Sequence, residues 1–195
     1  MTEIYGFNLF QMIYVVCINN CMKLSEIRQR MAYEPKAFPT QKEAARTWLG
    51  GIAKSYPVAL TLTLKQVIKE ITPKGIYYRQ LTKEDCEKVA ARFIQKLNEE
   101  IFGKNAVRRH NKGLNYIVTI EGERTEKRLH LHIAIGGFAR GFKFNQLGDK
   151  VRQAKAHVQN LAEQHKLDIC DSGWVEYMCK ELGRKDTDNV LWTLA

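Results

Sequence analysis

This chain has few prolines, an odd handful of cysteines, a shortage of carboxylates and no long apolar run. The longest apolar stretch, Ile4 to Cys17, is broken by Gly6, Asn8 and Gln11, too short and too polar for the ~20 apolar residues a spanning helix needs. Glu3 stands where a secretory leader carries basic residues, and no small-residue cleavage pattern follows, so no secretory signal is expected. The five cysteines, Cys17, Cys21, Cys86, Cys170 and Cys179, include no Cys-x-x-Cys pair. Reduced thiols in a cytoplasmic protein are therefore expected, without a cysteine-based zinc site. Repeats and low-complexity tracts are absent, as is a Walker-type phosphate loop of the form Gly-x4-Gly-Lys-Ser/Thr.

What remains is a basic globular chain. Of 195 residues, 45% are hydrophobic and 27% charged, enough to bury a core. Lys plus Arg number 31 against 21 Asp plus Glu, a formal charge of +10, which favours a polyanionic partner, nucleic acid above all.

Pro35 and Pro39 bracket a connector after a segment, 1–34, whose apolar spacing from Met12 to Met31 predicts helix. Residues 1–56 are read as an N-terminal extension and 57–195 as the functional domain. Thr40 with Glu43 forms a capping box for a helix to about Leu49. Val58, Leu60, Leu62 and Leu64 alternate with Ala59, Thr61 and Thr63, a half-buried strand. Thr82 with Asp85 caps a helix through Phe102, stopped at Gly103. Strands follow at Tyr116–Glu121 and Leu129–Ile135, then a helix over 147–164, a short strand over 167–170, a helix from Trp174 to about Leu182, and a candidate edge strand over 190–194. The first six elements from residue 57 spell strand, helix, strand, strand, helix, strand. The expected fold is α+β: a ferredoxin-like (split β-α-β) antiparallel sheet, helices on one face and an open nucleic-acid-binding face.

Chemistry concentrates in Arg128-Leu-His-Leu-His-Ile-Ala-Ile135. His130 and His132 share a strand face, with Cα atoms about 6.7 Å apart, a spacing from which two imidazoles can meet one metal ion. A turn closing with Glu123 opposite Arg128 would pair Glu121 with His130 and Thr119 with His132, offering Glu121 as a third ligand and Glu123 as the fallback. On the last helix Tyr177 lies off the apolar stripe of Trp174, Val175, Met178 and Leu182, beside Lys180 and Arg184, a placement suited to an oxygen that must meet a phosphate.

Three motifs, Leu60-Thr-Leu-Thr63, His130-Leu-His132 and Tyr177-Met-Cys-Lys180, occur in that order on those elements. Together they resemble the HUH endonuclease superfamily over roughly residues 57–184, in particular single-tyrosine initiators of rolling-circle replication. The resemblance implies a plasmid or phage protein that nicks and rejoins single-stranded or hairpin origin DNA. His130, His132 and Glu121 would bind Mn²⁺ or Mg²⁺, Tyr177 would be the nucleophile that forms a 5′-phosphotyrosine, and Lys180 would assist it. Transposase-like members take the third ligand from the tyrosine helix, which here makes Glu181 a further fallback. The implied helicase partner is a separate protein.

Tyr77 and Tyr78 are adjacent but early, and read as loop or strand residues. His110, His157 and His165 read as surface histidines. Thr61 and Thr63 leave room for a nucleotide, while Arg108, Arg109, Arg140, Lys143 and Arg184 extend a DNA track, with Phe138, Phe142 and Phe144 beside it as candidate base-stacking groups. The competing readings are a transposase, a relaxase, and a non-catalytic binder of single-stranded nucleic acid using the same sheet.

Overall fold

A computed structural model describes residues 39–122, 128–180, 182 and 189–191. The chain divides into two compact units, Met1–Pro39 and Thr40–Ala195. The predicted helical segment 1–34 lies outside the described residues.

Helix α1 (Gln41–Ile52) opens on the expected capping box of Thr40 and Glu43. Strand β1 (Val58–Leu64) leads into a hairpin of β2 (Val67–Thr72) and β3 (Gly75–Gln80), which the sequence reading missed. Helix α2 (Lys83–Phe102) starts at the Thr82–Asp85 capping box, and Gly103 closes it at a φ of 83°. Then come α3 (Lys104–His110), β4 (Asn115–Glu121), β5 (His130–Gly136), α4 (Leu147–Ala156), β6 (Leu161–Ile169) and α5 (Ser172–Met178). Four strands form one antiparallel sheet in the order β4-β5-β1-β6; β2 and β3 stand apart as a two-stranded ribbon. This α+β arrangement is compatible with a ferredoxin-like fold.

The first face of the sheet is dry. Leu60, Leu62 and Leu64 of β1, Val118 and Ile120 of β4, and Leu131, Ile133 and Ile135 of β5 pack with Phe93, Ile94 and Leu97 of α2 and Val151 and Ala154 of α4. Each such aliphatic contributes roughly 1.5–3 kcal/mol by leaving water. The second face, which the sequence predicts to be open, is covered along part of its length. Leu49 of α1 and Val175 and Met178 of α5 close over Ile117 and Ala134, and Arg46 of α1 ion-pairs with Glu176 of α5. At the other end of that face Trp174 and Tyr177 of α5 pack against His132, while Thr61 and His130 stay partly exposed.

Two predicted elements shift. The helix expected over 147–164 stops at Ala156, and the chain turns through Asn160 at a φ of 68°. Residues 161–169 then pair along β1. The backbone bonds offered by the free edge of β1 outweigh the helical preference of Leu-Ala-Glu-Gln. The final helix ends at Met178, and Lys180 sits in a turn whose N–H bonds the Tyr177 carbonyl at 3.3 Å. Of the suggested edge strand, Val190 makes one bridge to Thr119; residues 192–195 lie outside the described ones. Among the described residues no helix is long and apolar enough to cross a membrane.

Candidate functional site

Strand register dictates the second face. Side chains from β4, β5, β1 and β6 fall into rows: Ile117, Ala134, Ala59 and Asp168; then Thr119, His132, Thr61 and Lys166; then Glu121, His130 and Thr63. In the first row Ile117 and Ala134 are covered by α1 and α5, while Asp168 is exposed. The second and third are polar. The register agrees with the expected one: Glu121 opposes His130 and Thr119 opposes His132.

Glu121 is the hub. Only 4% exposed, its carboxylate reaches diagonally past its direct partner to His132, where Oε2 lies 2.8 Å from Nε2. The Tyr177 hydroxyl donates to the same oxygen at 2.9 Å, and Lys180 Nζ stands 2.6 Å from Oε1. The His132 hydrogen bond, then those from Lys180 and Tyr177, outweigh burial and hold the Glu121 carboxyl well below the usual range. It is therefore ionised at neutral pH. Burial works against the Lys180 ammonium, but Glu121 and Tyr177 together raise it above the ordinary lysine value.

Two aromatic contacts fix the phenol. Its ring packs edge-on against His132 with centroids 4.8 Å apart and stacks with Trp174 at 5.8 Å. Lys180 Nζ lies 3.5 Å from the ring centroid, a cation–π contact. α5 delivers this phenol because Asp171 caps the helix through the Trp174 N–H, while Val175 and Met178 are buried on its other side.

The Thr61 hydroxyl lies 3.1 Å from His132 Nδ1. A hydroxyl both donates and accepts, so it steadies the ring whichever nitrogen carries the proton, leaving Nε2 aimed at Glu121. The His130 ring is near-parallel to that of His132, with centroids 6.3 Å apart. Burial, reinforced by His132, lowers the His130 imidazole below its ordinary value and favours its neutral form. Two imidazoles and a carboxylate suit a divalent ion such as Mn²⁺ or Mg²⁺. Among the described residues no three His, Cys, Asp or Glu side chains are gathered as a metal cluster. Glu121 and His132 meet, whereas His130 stands one ring-width aside.

Thr61, Glu121, His130, His132 and Tyr177 line a cleft of about 710 Å³, together with Arg128, Lys166, Asp168, Ile169 and Trp174. Lys166 is paired with Asp168 at 2.8 Å. Arg128, Lys166 and Trp174 escaped the sequence reading as site residues. The parity of β6 would have flagged Lys166 had the strand been placed correctly.

The remaining predicted residues divide. Thr63 is buried opposite His130, and Thr61 is occupied with His132. Arg108 and Arg109 precede β4, and Arg140 and Lys143 follow β5, so they belong to the end of the sheet where Asn115 pairs Gly136. A strand of this length places that end about 20 Å from Glu121, so these four do not join the cleft. Arg108 lies 3.9 Å from Glu99. Phe138, Phe142 and Phe144 pack on one another at 4.9–5.4 Å; the first two rest against the core, and Phe144 is exposed. Glu123, Glu181 and Arg184 lie outside the described residues.

Compared with protein-family models, with curated proteins and with solved structures, the chain matches none.

Proposed function

We propose that this chain is a metal-dependent, site-specific single-stranded DNA nicking and joining endonuclease of the HUH type, acting as an initiator of rolling-circle replication for a plasmid or phage. The order of its main-sheet strands is then the split β-α-β arrangement of that superfamily. One observation carries the reading. A phenol and an ammonium from the end of α5 and an imidazole from β5 meet one buried carboxylate on β4, Tyr177 and His132 both within 2.9 Å of Glu121 Oε2.

In the reaction, a phosphodiester enters the cleft and the Tyr177 oxygen attacks phosphorus. The bond from phosphorus to the 3′ oxygen breaks, and the strand carrying the 5′ phosphate stays on Tyr177. The departing 3′ oxygen takes up a proton as the phenol loses one. Because the phosphoester is conserved, a 3′ hydroxyl can reverse the step without ATP. Glu121 is too weak a base to be the main driver; its part is to orient the phenol by accepting its hydrogen bond. Lys180, held against both Glu121 and the tyrosine ring, places a positive charge beside the attacking phenol and the incoming phosphate. Thr61 orients His132. His130, His132 and Glu121 are the residues that would hold a divalent ion, which when bound would offset charge on the scissile phosphate.

The test is a labelled single-stranded oligonucleotide pool incubated with protein and Mn²⁺. A denaturation-resistant protein–DNA band is expected, absent without metal and absent for Tyr177→Phe. An undiminished band from Tyr177→Phe removes the nucleophile assignment. Binding without any band, indifferent to metal, favours the non-catalytic single-strand binder instead.

A further inference from the structure

The β2–β3 ribbon inverts the usual burial pattern. Its register pairs Val67 with Gln80, Lys69 with Tyr78 and Ile71 with Ile76 on one face, and Ile68 with Arg79 and Glu70 with Tyr77 on the other. The second face is the anchored one. Ile68 enters the core, and Arg79 bonds both Glu70 and Asp85 at the start of α2. The root is clamped too: Gln66 accepts the Leu129 N–H at 3.2 Å and donates to the Leu64 carbonyl at 3.1 Å. Every residue of the first face is exposed, including Ile71 at 79% and Tyr78 at 70%. An isolated two-stranded ribbon is marginal in water. This one is braced to hold an apolar face outward, the mark of an interaction surface.

Place and charge identify the occupant. β1 ends at Leu64, one residue past Thr63, whose partner is His130, so the ribbon leaves the sheet at the end that carries the cleft. Its exposed face holds Lys69 and no carboxylate, and the Thr72-Pro-Lys-Gly75 tip holds Lys74. Aliphatic and proline wedges flanked by cations are what proteins insert between base steps to unstack a duplex.

We propose that the exposed face of the β2–β3 ribbon is a second nucleic-acid contact, a wedge that engages base-paired DNA next to the strand held in the cleft. The proposal builds on the nicking function only for that neighbouring strand. It assigns Ile71, Ile76 and Tyr78 to base contact, and Lys69 and Lys74 to phosphate.

Two probes test it: a fluorescent stem–loop with a single-stranded tail, and the tail alone. The full chain with Ile71→Ser, Ile76→Ser and Tyr78→Ser is expected to lose about tenfold or more in affinity for the stem–loop and to bind the tail as the unaltered protein does. Lys69→Ala with Lys74→Ala should flatten the dependence of log affinity on log salt by roughly one per lost phosphate contact. Stem–loop affinity unchanged in both variants overturns the wedge. So does a change in oligomeric state in the serine variant with DNA affinity intact, which would make the face a contact between copies. Failure of the unaltered protein to bind the tail strikes at the cleft reading instead, and the stem–loop comparison still judges the ribbon.

Discussion

Two of the ionic knots among the described residues are built in opposite ways. At the ribbon, one cation, Arg79, is shared by two carboxylates, Glu70 and Asp85, which lie nine and six residues away. In the cleft, one carboxylate, Glu121, is shared by donors from His132 and Tyr177, eleven and fifty-six residues away, and by Lys180. Arg79 and Glu70 keep side-chain exposures of 39% and 44%, whereas Glu121 keeps 5%. The first knot ties a local turn to the helix that follows it, and it is wet. The second draws remote segments together around a charge that has lost its water. Ion pairs alone therefore do not mark a site; a desolvated charge shared among a phenol, an imidazole and an ammonium does.

The sharpest way to break the comparison is to remove each hub. Glu121→Ala leaves Lys180 and His132 facing one another with no carboxylate, a loss expected to cost about 3–5 kcal/mol in denaturant unfolding. Covalent capture of DNA should vanish with it. If stability falls by no more than a surface ion pair's worth, the cleft knot is no different in kind from the ribbon's. Tyr177→Phe deletes one hydrogen bond and keeps the ring packed against His132 and Trp174, so about 0.5–1.5 kcal/mol is expected, with capture abolished all the same. Arg79→Ala is expected to leave the global melt almost unchanged, since exposed pairs contribute little. Its effect should appear as protease sensitivity confined to 67–80.

Much of the cleft could be read from the chain because it rests on local rules. Parity put His130, His132 and Glu121 on one face, pairing across the turn gave their register, and the stripe on α5 singled out Tyr177. The capping boxes at Thr40 and Thr82 stood where their side chains required. What escaped depended on partners distant in sequence. β6 is composed of residues content in a helix and becomes a strand only because β1 offers an edge. The ribbon was hidden because Pro73 and Gly75 mark a loop as readily as a hairpin tip, and its exposed aliphatics gave no inward face to recognise. The cover over Ala134 required α1 to meet α5, a contact no periodicity announces. Arg108, Arg109, Arg140 and Lys143 read as a DNA track from their charge, and charge says nothing about how far a loop lies from the cleft.

The smallest effect is a pH dependence confined to the ribbon. The Arg79 hydrogen bond, ahead of those from Thr82, holds the Asp85 carboxyl well below its ordinary value of 3.8. The folded protein therefore binds this proton less readily than the unfolded chain, and the brace adds stability that is complete above the ordinary value. As pH falls below 3.8 the unfolded chain takes up the proton first, so the contribution fades and is gone once pH has passed the depressed folded value. Asp85→Asn should flatten that part of the stability–pH curve for residues 67–85, read by amide exchange, while leaving the curve above it parallel to that of the unaltered protein. An acid slope unchanged by Asp85→Asn would mean that the Arg79–Asp85 contact does not carry this dependence, and the link to α2 would then be an ornament of the wet knot rather than its anchor.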